Sequence, residues 1–319
     1  MLKKTFEKEP HMLRETFCGT LVEMAGADAR IVALDADLMS SSGMKPFKKA
    51  FPERFINCGV AEANMVGVAA GLASMGFIPF AHSFGTFATR RVCDQVFMSC
   101  AYARLPVKIV GTDPGVCAAY NGGTHMPLED MAVLRAIPEI VLVEPTDTVQ
   151  LKNLMPQIAA LDATVYIRLL RKNAVAVFEE GAAFEIGKAA TLREGKDVTL
   201  VCSGIMVAVA LEAADMLAKA DIDARVVNMF TWKPVDGEAL EKCAGETGAI
   251  VTCENHNVVG GLGSACAEHL MKTRPVPLET VGVQDHFGEV GPEDYLRGKF
   301  GLSAADVAAA AKRAVARKG

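Results

Sequence analysis

The sequence predicts an α/β protein with two open, mainly parallel sheets, one in each half of the chain. Three observations carry this. Short apolar runs alternate with amphipathic stretches of roughly ten residues or more, the pattern of βαβ units. The alternation weakens over residues 171–196, where Asn173, Gly181, Gly187 and Gly195 mix with charges, and then resumes. Of the 319 residues, 51% are hydrophobic and 22% charged, which supplies two cores and lies far from the composition of a disordered chain.

In chain order, residues 30–34 form a β-branched run that ends in Asp35-Ala36-Asp37, the carboxyl end of a first strand. Residues 62–75 read as a helix crowded with Ala and Gly, able to pack closely, and Gly76 ends it. Residues 77–80 give the next strand, and 86–104 a helix with Pro106 marking its exit. Strands over 107–111, 140–144 and 164–169 alternate with helices over 128–136 and 146–161. In the second half, strands over 197–202, 225–228 and 249–253 alternate with helices over 206–219, 237–244 and 260–271. An Ala-rich helix over 303–318, capped by Ser303, closes the chain.

Several function classes are excluded. Net charge is −5 and no basic stretch exceeds a few residues, so a nucleic-acid footprint is not expected. Mean hydropathy is high, yet no window reaches ~18 uninterrupted apolar residues, so no membrane helix is expected. The nine cysteines are scattered without a Cys-x-x-Cys pair, which fits buried free thiols in a reducing cytosol rather than a zinc or disulfide framework. The charged N-terminal segment has no apolar stretch of the secretory kind, so a cytoplasmic protein is expected. Walker, nucleophile-elbow and zincin motifs are all missing. Gly260-Gly261-Leu262-Gly263 opens a helix, but without Rossmann spacing it reads as close packing rather than a phosphate cradle.

Three places invite chemistry. Glu62 stands at the start of an otherwise small, apolar helix. The helix dipole alone accounts for a carboxylate there. The alternative is a carboxyl group facing an apolar pocket, with its proton affinity raised for proton sharing. Phe84 and Phe87, three apart, are either core or a flat apolar wall for a ring. His125, in the turn-rich Asn121-Gly122-Gly123-Thr124-His125, sits beyond a strand end where functional side chains collect.

Together these segments resemble the transketolase family of thiamine-diphosphate enzymes. The matching stretches are Gly59-Val60-Ala61-Glu62-Ala63-Asn64-Met65, Ser83-Phe84-Gly85-Thr86-Phe87, Gly123-Thr124-His125 and Ile137-Pro138 through Glu144-Pro145-Thr146-Asp147. In the second half they are Glu254-Asn255-His256-Asn257 and Gly260-Gly261-Leu262-Gly263-Ser264. The resemblance implies a pyrimidine-binding α/β domain over 11–172, a linker over 173–195 and a C-terminal α/β domain over 196–319. The family's Gly-Asp-Gly motif, which holds the cofactor diphosphate and a divalent metal, is absent from the chain. The chain thus resembles the second subunit of a split transketolase. Its partner would be the N-terminal subunit carrying the Gly-Asp-Gly domain, holding Mg2+ or another divalent cation, in a heterotetramer of two plus two acting on small-molecule sugars.

By the same resemblance, Glu62 hydrogen-bonds N1′ of the aminopyrimidine, and its proton favours the imino tautomer that removes the thiazolium C2 proton. Phe87 stacks on the pyrimidine with Phe84 beside it, and His125 contacts the donor carbonyl or hydroxyl. Arg14, Ser41 and Arg171 bind the sugar-phosphate tail; Ser40, Ser42 and Arg168 are the alternatives if the register shifts. Two positions depart from the family. Asn121 stands where an Asp is usual, and Asp113 where a phosphate-binding His is common. Both point away from the ordinary pentulose phosphate, toward a related ketose or an anionic tail held differently. The remaining alternatives are the beta subunit of a 2-oxo acid dehydrogenase, a deoxyxylulose-phosphate-synthase-like enzyme and a non-catalytic assembly subunit.

Overall fold

The computed structural model describes residues 2–318. Its strands are β1 (Ile31–Asp35), β2 (Phe55–Asn57), β3 (Ile78–Phe84), β4 (Lys108–Thr112), β5 (Val141–Val143) and β6 (Val165–Leu169), then β7 (Ala190–Arg193), β8 (Val198–Cys202), β9 (Ala224–Asn228), β10 (Thr231–Lys233), β11 (Ile250–Asn257) and β12 (Leu278–Val283). They form a seven-stranded sheet in the order β10-β5-β6-β4-β3-β1-β2 and a five-stranded sheet in the order β12-β11-β8-β9-β7. All pairings are parallel except the two at the ends, β10 on β5 and β7 on β9. The central strands β1, β4, β6, β8 and β9 are buried along their whole length, as mainly apolar strands covered on both faces should be.

The helix Glu62–Ser74 lies against β3, burying Met65, Val66, Ala69 and Ala73. The helix Thr148–Ala160 is capped by Asp147, whose Oδ1 accepts from Gln150 N at 3.0 Å. Its Oδ2 accepts from Val177 N and Phe178 N at 2.9 and 2.8 Å, tying the connecting segment to the first half. Ser303 caps the last helix, Ala304–Ala316.

Beyond the helix Leu13–Ala27 and strands β2 and β12, which the sequence reading did not include, four features differ from it. The helix expected over 86–104 is broken at Thr89 (φ −130°, ψ −81°) into short turns that end in a π-helical stretch, Val96–Ala101. The segment over 173–195 contains β7, which pairs antiparallel with β9. Strand β3 runs on to Phe84, so Phe84 ends a strand while Phe87 lies in the short helix Gly85–Ala88. The second half also sends β10 back to the edge of the first sheet. No helix among the described residues is long and apolar enough to cross a membrane.

Candidate active site

In open parallel sheets, ligands bind beyond the carboxyl ends of the strands, where the strand order reverses. The first sheet reverses at β1, which has β2 on one side and β3 on the other. Every candidate residue but one follows such an end. Ser41 follows β1, Glu62 follows β2, Phe84 and Phe87 end or follow β3, Asp113, Asn121 and His125 follow β4, and Arg171 follows β6. Arg14 comes from the first helix, Leu13–Ala27.

Phe84, Phe87 and His125 form one cluster, with ring centroids 6.2 Å apart for the two phenylalanines and 6.0 and 5.1 Å from each to the imidazole. Thr124 Oγ1 lies 3.0 Å from His125 Nδ1 and orients the ring. Glu62 is buried, and the Arg91 guanidinium donates to its Oε2 at 2.9 Å. The same guanidinium lies over the Phe87 ring, 4.0 Å from its centroid. The surroundings of Glu62 are therefore not wholly apolar: its carboxyl group is buried and ion-paired with Arg91. Arg91, missed from sequence, gave no signal there because its partner is 29 residues away.

A second cluster gathers the charged candidates. Arg171 Nε donates to Asp113 Oδ1 at 3.0 Å. Burial pushes the Asp113 carboxyl up, while Arg171, Lys172 and Arg14 pull it down. Asp113 is therefore tied to Arg171 rather than standing bare before an anionic tail. Arg14 Nη1 donates to the Ser41 carbonyl at 2.6 Å, so these two are neighbours as well. Arg14, Arg171, Lys172, Lys8 and Arg297 line a cavity of about 450 Å³, with Glu293 opposing them. The Arg171 guanidinium lies 5.5 Å from the Phe84 ring and joins the two clusters. Asn121 is exposed at the end of the turn Gly115–Asn121.

Arg168, the alternative to Arg171, has a different place. It is fully buried on β6 and donates to Asp130 at 2.8 Å, Glu144 at 2.7 Å and the Pro127 and Asn255 carbonyls at 2.9 and 3.0 Å. Tyr166 adds its hydroxyl to Asp130 at 2.8 Å, and Ser203, itself held by Trp232 Nε1 at 2.8 Å, donates to Glu144. Removing one partner from such a buried network typically costs about 3–5 kcal/mol. From β11, Asn255 accepts from Val116 N at 2.9 Å and donates to the Pro114 carbonyl at 2.9 Å. The second half thereby fixes the loop between Asp113 and His125. A Cβ on Gly115 (φ +47°) would overlap the Asn255 side chain.

The glycines at 260–263 have a structural use. Glu254 accepts from Leu262 N at 2.7 Å and Gly263 N at 2.9 Å, so the first N–H groups of the helix Leu262–Thr273 are satisfied by the chain's own carboxyl group. A Cβ on Gly261 would overlap that carboxyl group. Burial pushes Glu254 up to about 8, above the usual carboxylate value. The folded state then holds a proton that the unfolded state releases, so this stability is complete at acid pH and is lost as pH rises toward 8. His256, pushed down to about 4 by burial, works in the opposite sense and only on the acid side. Between pH 6.5 and 8 the melting temperature should fall, and Glu254→Gln, neutral throughout, should flatten that slope. A parallel slope in the variant would mean that Glu254 does not titrate there.

Comparison with known proteins identifies the family of the chain. The model of the transketolase pyrimidine binding domain matches residues 9–175, and that of the transketolase C-terminal domain matches residues 187–307. The 6-deoxy-6-sulfo-D-fructose transketolase subunit SqwH of Clostridium sp. (strain MSTE9) is 56% identical over 97% of this chain and 96% of that protein. A solved structure described as a split gene transketolase, inactive beta4 tetramer, superposes with a TM-score of 0.91 at 45% identity, over 97% of this chain and 99% of that one. The 1-deoxy-D-xylulose-5-phosphate synthase of Heliobacterium modesticaldum (strain Ice1) is 38% identical over 95% of this chain but only 47% of that protein.

Proposed function

The chain belongs to the transketolase family, and from that premise we propose that it is the pyrimidine-side subunit of a two-chain enzyme moving a two-carbon ketol unit from a sulfonated ketose to an aldose. The observation that carries this is the joining of two clusters at one end of the first sheet: Glu62, Phe84, Phe87 and His125 for the reaction, Arg14, Ser41 and Arg171 for an anionic tail. The relative that is 56% identical acts, by its name, on 6-deoxy-6-sulfo-D-fructose, and a sulfonate tail suits a guanidinium pair.

The family depends on thiamine diphosphate, which when bound supplies the nucleophilic carbon for carbon–carbon cleavage. The residues present fit its flat aminopyrimidine, because one planar cationic group already meets the Glu62 carboxylate and the Phe87 face together. Glu62 would hold a proton at the ring nitrogen. Phe84 and Phe87 would cover the ring and exclude water, which strengthens that hydrogen bond. His125, beside both rings, would reach the donor's carbonyl or hydroxyl. Asp113 would keep Arg171 extended toward the tail, and Asn121 would reach the sugar only if its exposed loop closes.

The diphosphate and its divalent cation, Mg2+ by expectation, fall to a partner chain with Gly-Asp-Gly, and the assembly is two plus two. The tetramer of the 45% identical relative supports a multimeric assembly. The nine free cysteines support a cytoplasmic setting. The division into 11–172, 173–195 and 196–319 follows the same reading, with β7 inside the connecting part.

The test is co-expression with the partner, followed by a donor screen. 6-Deoxy-6-sulfo-D-fructose should be consumed with release of a four-carbon sulfonated aldehyde, at a higher kcat/KM than xylulose 5-phosphate, unphosphorylated ketoses or hydroxypyruvate. Turnover confined to pyruvate would instead favour the synthase or dehydrogenase readings.

A further inference from the structure

Arg91 meets, with a single guanidinium, both groups assigned above to the aminopyrimidine. Its Nη1 donates to Glu62 Oε2 at 2.9 Å, and its Cζ lies 4.0 Å from the Phe87 ring centroid. A guanidinium is flat, cationic and carries its N–H donors in the plane, so it offers Phe87 a face and Glu62 an edge. A stacked ring needs the same layer, since van der Waals contact to an aromatic face is itself about 3.5–4 Å. On the face of Phe87 that Arg91 covers, the ring and the guanidinium cannot share that layer.

We propose that Arg91 is a positioning residue that occupies the pyrimidine seat, keeping Glu62 paired and Phe87 covered until the cofactor ring displaces it outward. This rests on the reading of Glu62 and Phe87 as pyrimidine contacts.

The surroundings suit such an exchange. The Glu62 side chain is 4% exposed, so leaving it ionised and unpaired is unfavourable, whereas the Arg91 side chain is 47% exposed and can swing into water without backbone movement. The backbone turns sharply at Thr89 and enters the turn Arg90–Val92, which aims Arg91 back over Phe87. Its neighbour diverges: Arg90 pairs with Glu129 at 2.6 Å. Arg90 therefore serves as an internal control.

A resident occupant lowers apparent ligand affinity by the fraction of time that the seat is free. In the assembled two-chain enzyme, Arg91→Ala should tighten thiamine diphosphate binding by about 3–10-fold, corresponding to a seat filled roughly two-thirds to nine-tenths of the time. Titration calorimetry with Mg2+ present reads this directly. Arg91→Lys, charged but not planar, should fall between parent and Ala, and Arg90→Ala should bind as the parent does. Because Arg91 acts through Glu62, its gain should shrink in a Glu62→Gln background.

Unchanged or weaker binding by Arg91→Ala would overturn the proposal, the weaker case meaning that Arg91 supports the loaded state. Phe87→Ala separates the two readings. If it leaves cofactor binding untouched in both the parent and the Arg91→Ala background, the assignment of the seat itself has failed.

Discussion

Glu62→Gln should lower turnover of the assembled enzyme by about 10²–10⁴-fold, the usual loss for one positioned acid–base group. The amide keeps the shape of the side chain but cannot exchange a proton with a ring nitrogen. The fold should tolerate the change. Glu62 begins the helix Glu62–Ser74 as N1, and the bond it loses is the ion pair to a guanidinium that is half exposed. The amide oxygen of Gln can still accept from Arg91 and, being neutral, needs no counter-charge when buried, so melting and subunit assembly should stay near those of the parent. The decisive measurements are single-turnover kinetics and exchange of the cofactor C2 proton. A Gln variant with parent-like rate and exchange would reduce Glu62 to a carboxylate stabilised by a helix terminus.

The chain purified without its partner should show no ketol transfer, even with thiamine diphosphate and Mg2+ supplied. It has no Gly-Asp-Gly, and among the described residues no group of three or more His, Cys, Asp or Glu could hold a metal ion. The diphosphate and its cation would be left in water, and the cofactor's thiazolium would not be aligned with Glu62. Misplacement of this kind removes the orientation on which effective molarity depends. Adding the partner in stoichiometric amount should restore activity, with a light-scattering mass that rises in step. Clear turnover by the lone chain would sink the two-chain reading.

The parallel frame was legible because its strands are compact β-branched runs between helices, as in 107–111 and 164–169. Glu62 was legible because it is the one charge at the head of an Ala- and Gly-rich helix. Three-residue edge strands were not: Thr231-Trp232-Lys233 has no periodicity of its own, and only the neighbour it pairs with makes it a strand. Partners distant in sequence were equally hidden. Spacing could not separate Arg168 from Arg171, yet Arg168 lies within β6 and is buried, while Arg171 lies past its end and opens to the cavity. Gly261 and Gly263 suggested close packing, but only the fold shows that a carboxylate from β11 is what approaches. Asp113 read only as a departure from a phosphate-binding His, because its counter-charge, Arg171, is 58 residues away.

Strand β10 also decides what can be cut. It leaves the second half to pair antiparallel with β5, at the end of the seven-stranded sheet. A fragment ending anywhere in 173–195 would lose it and leave β5 as a bare edge. That edge would present unpaired N–H and C=O groups beside Leu142 and Val143, residues buried in the intact chain. Exposed apolar edges of this kind template self-association. The isolated first half should therefore precipitate or form aggregates, and appending 231–233 through a short turn should suppress this. Calorimetry of the whole chain should likewise show one heat-absorption peak, because melting the second half strips an edge strand from the first.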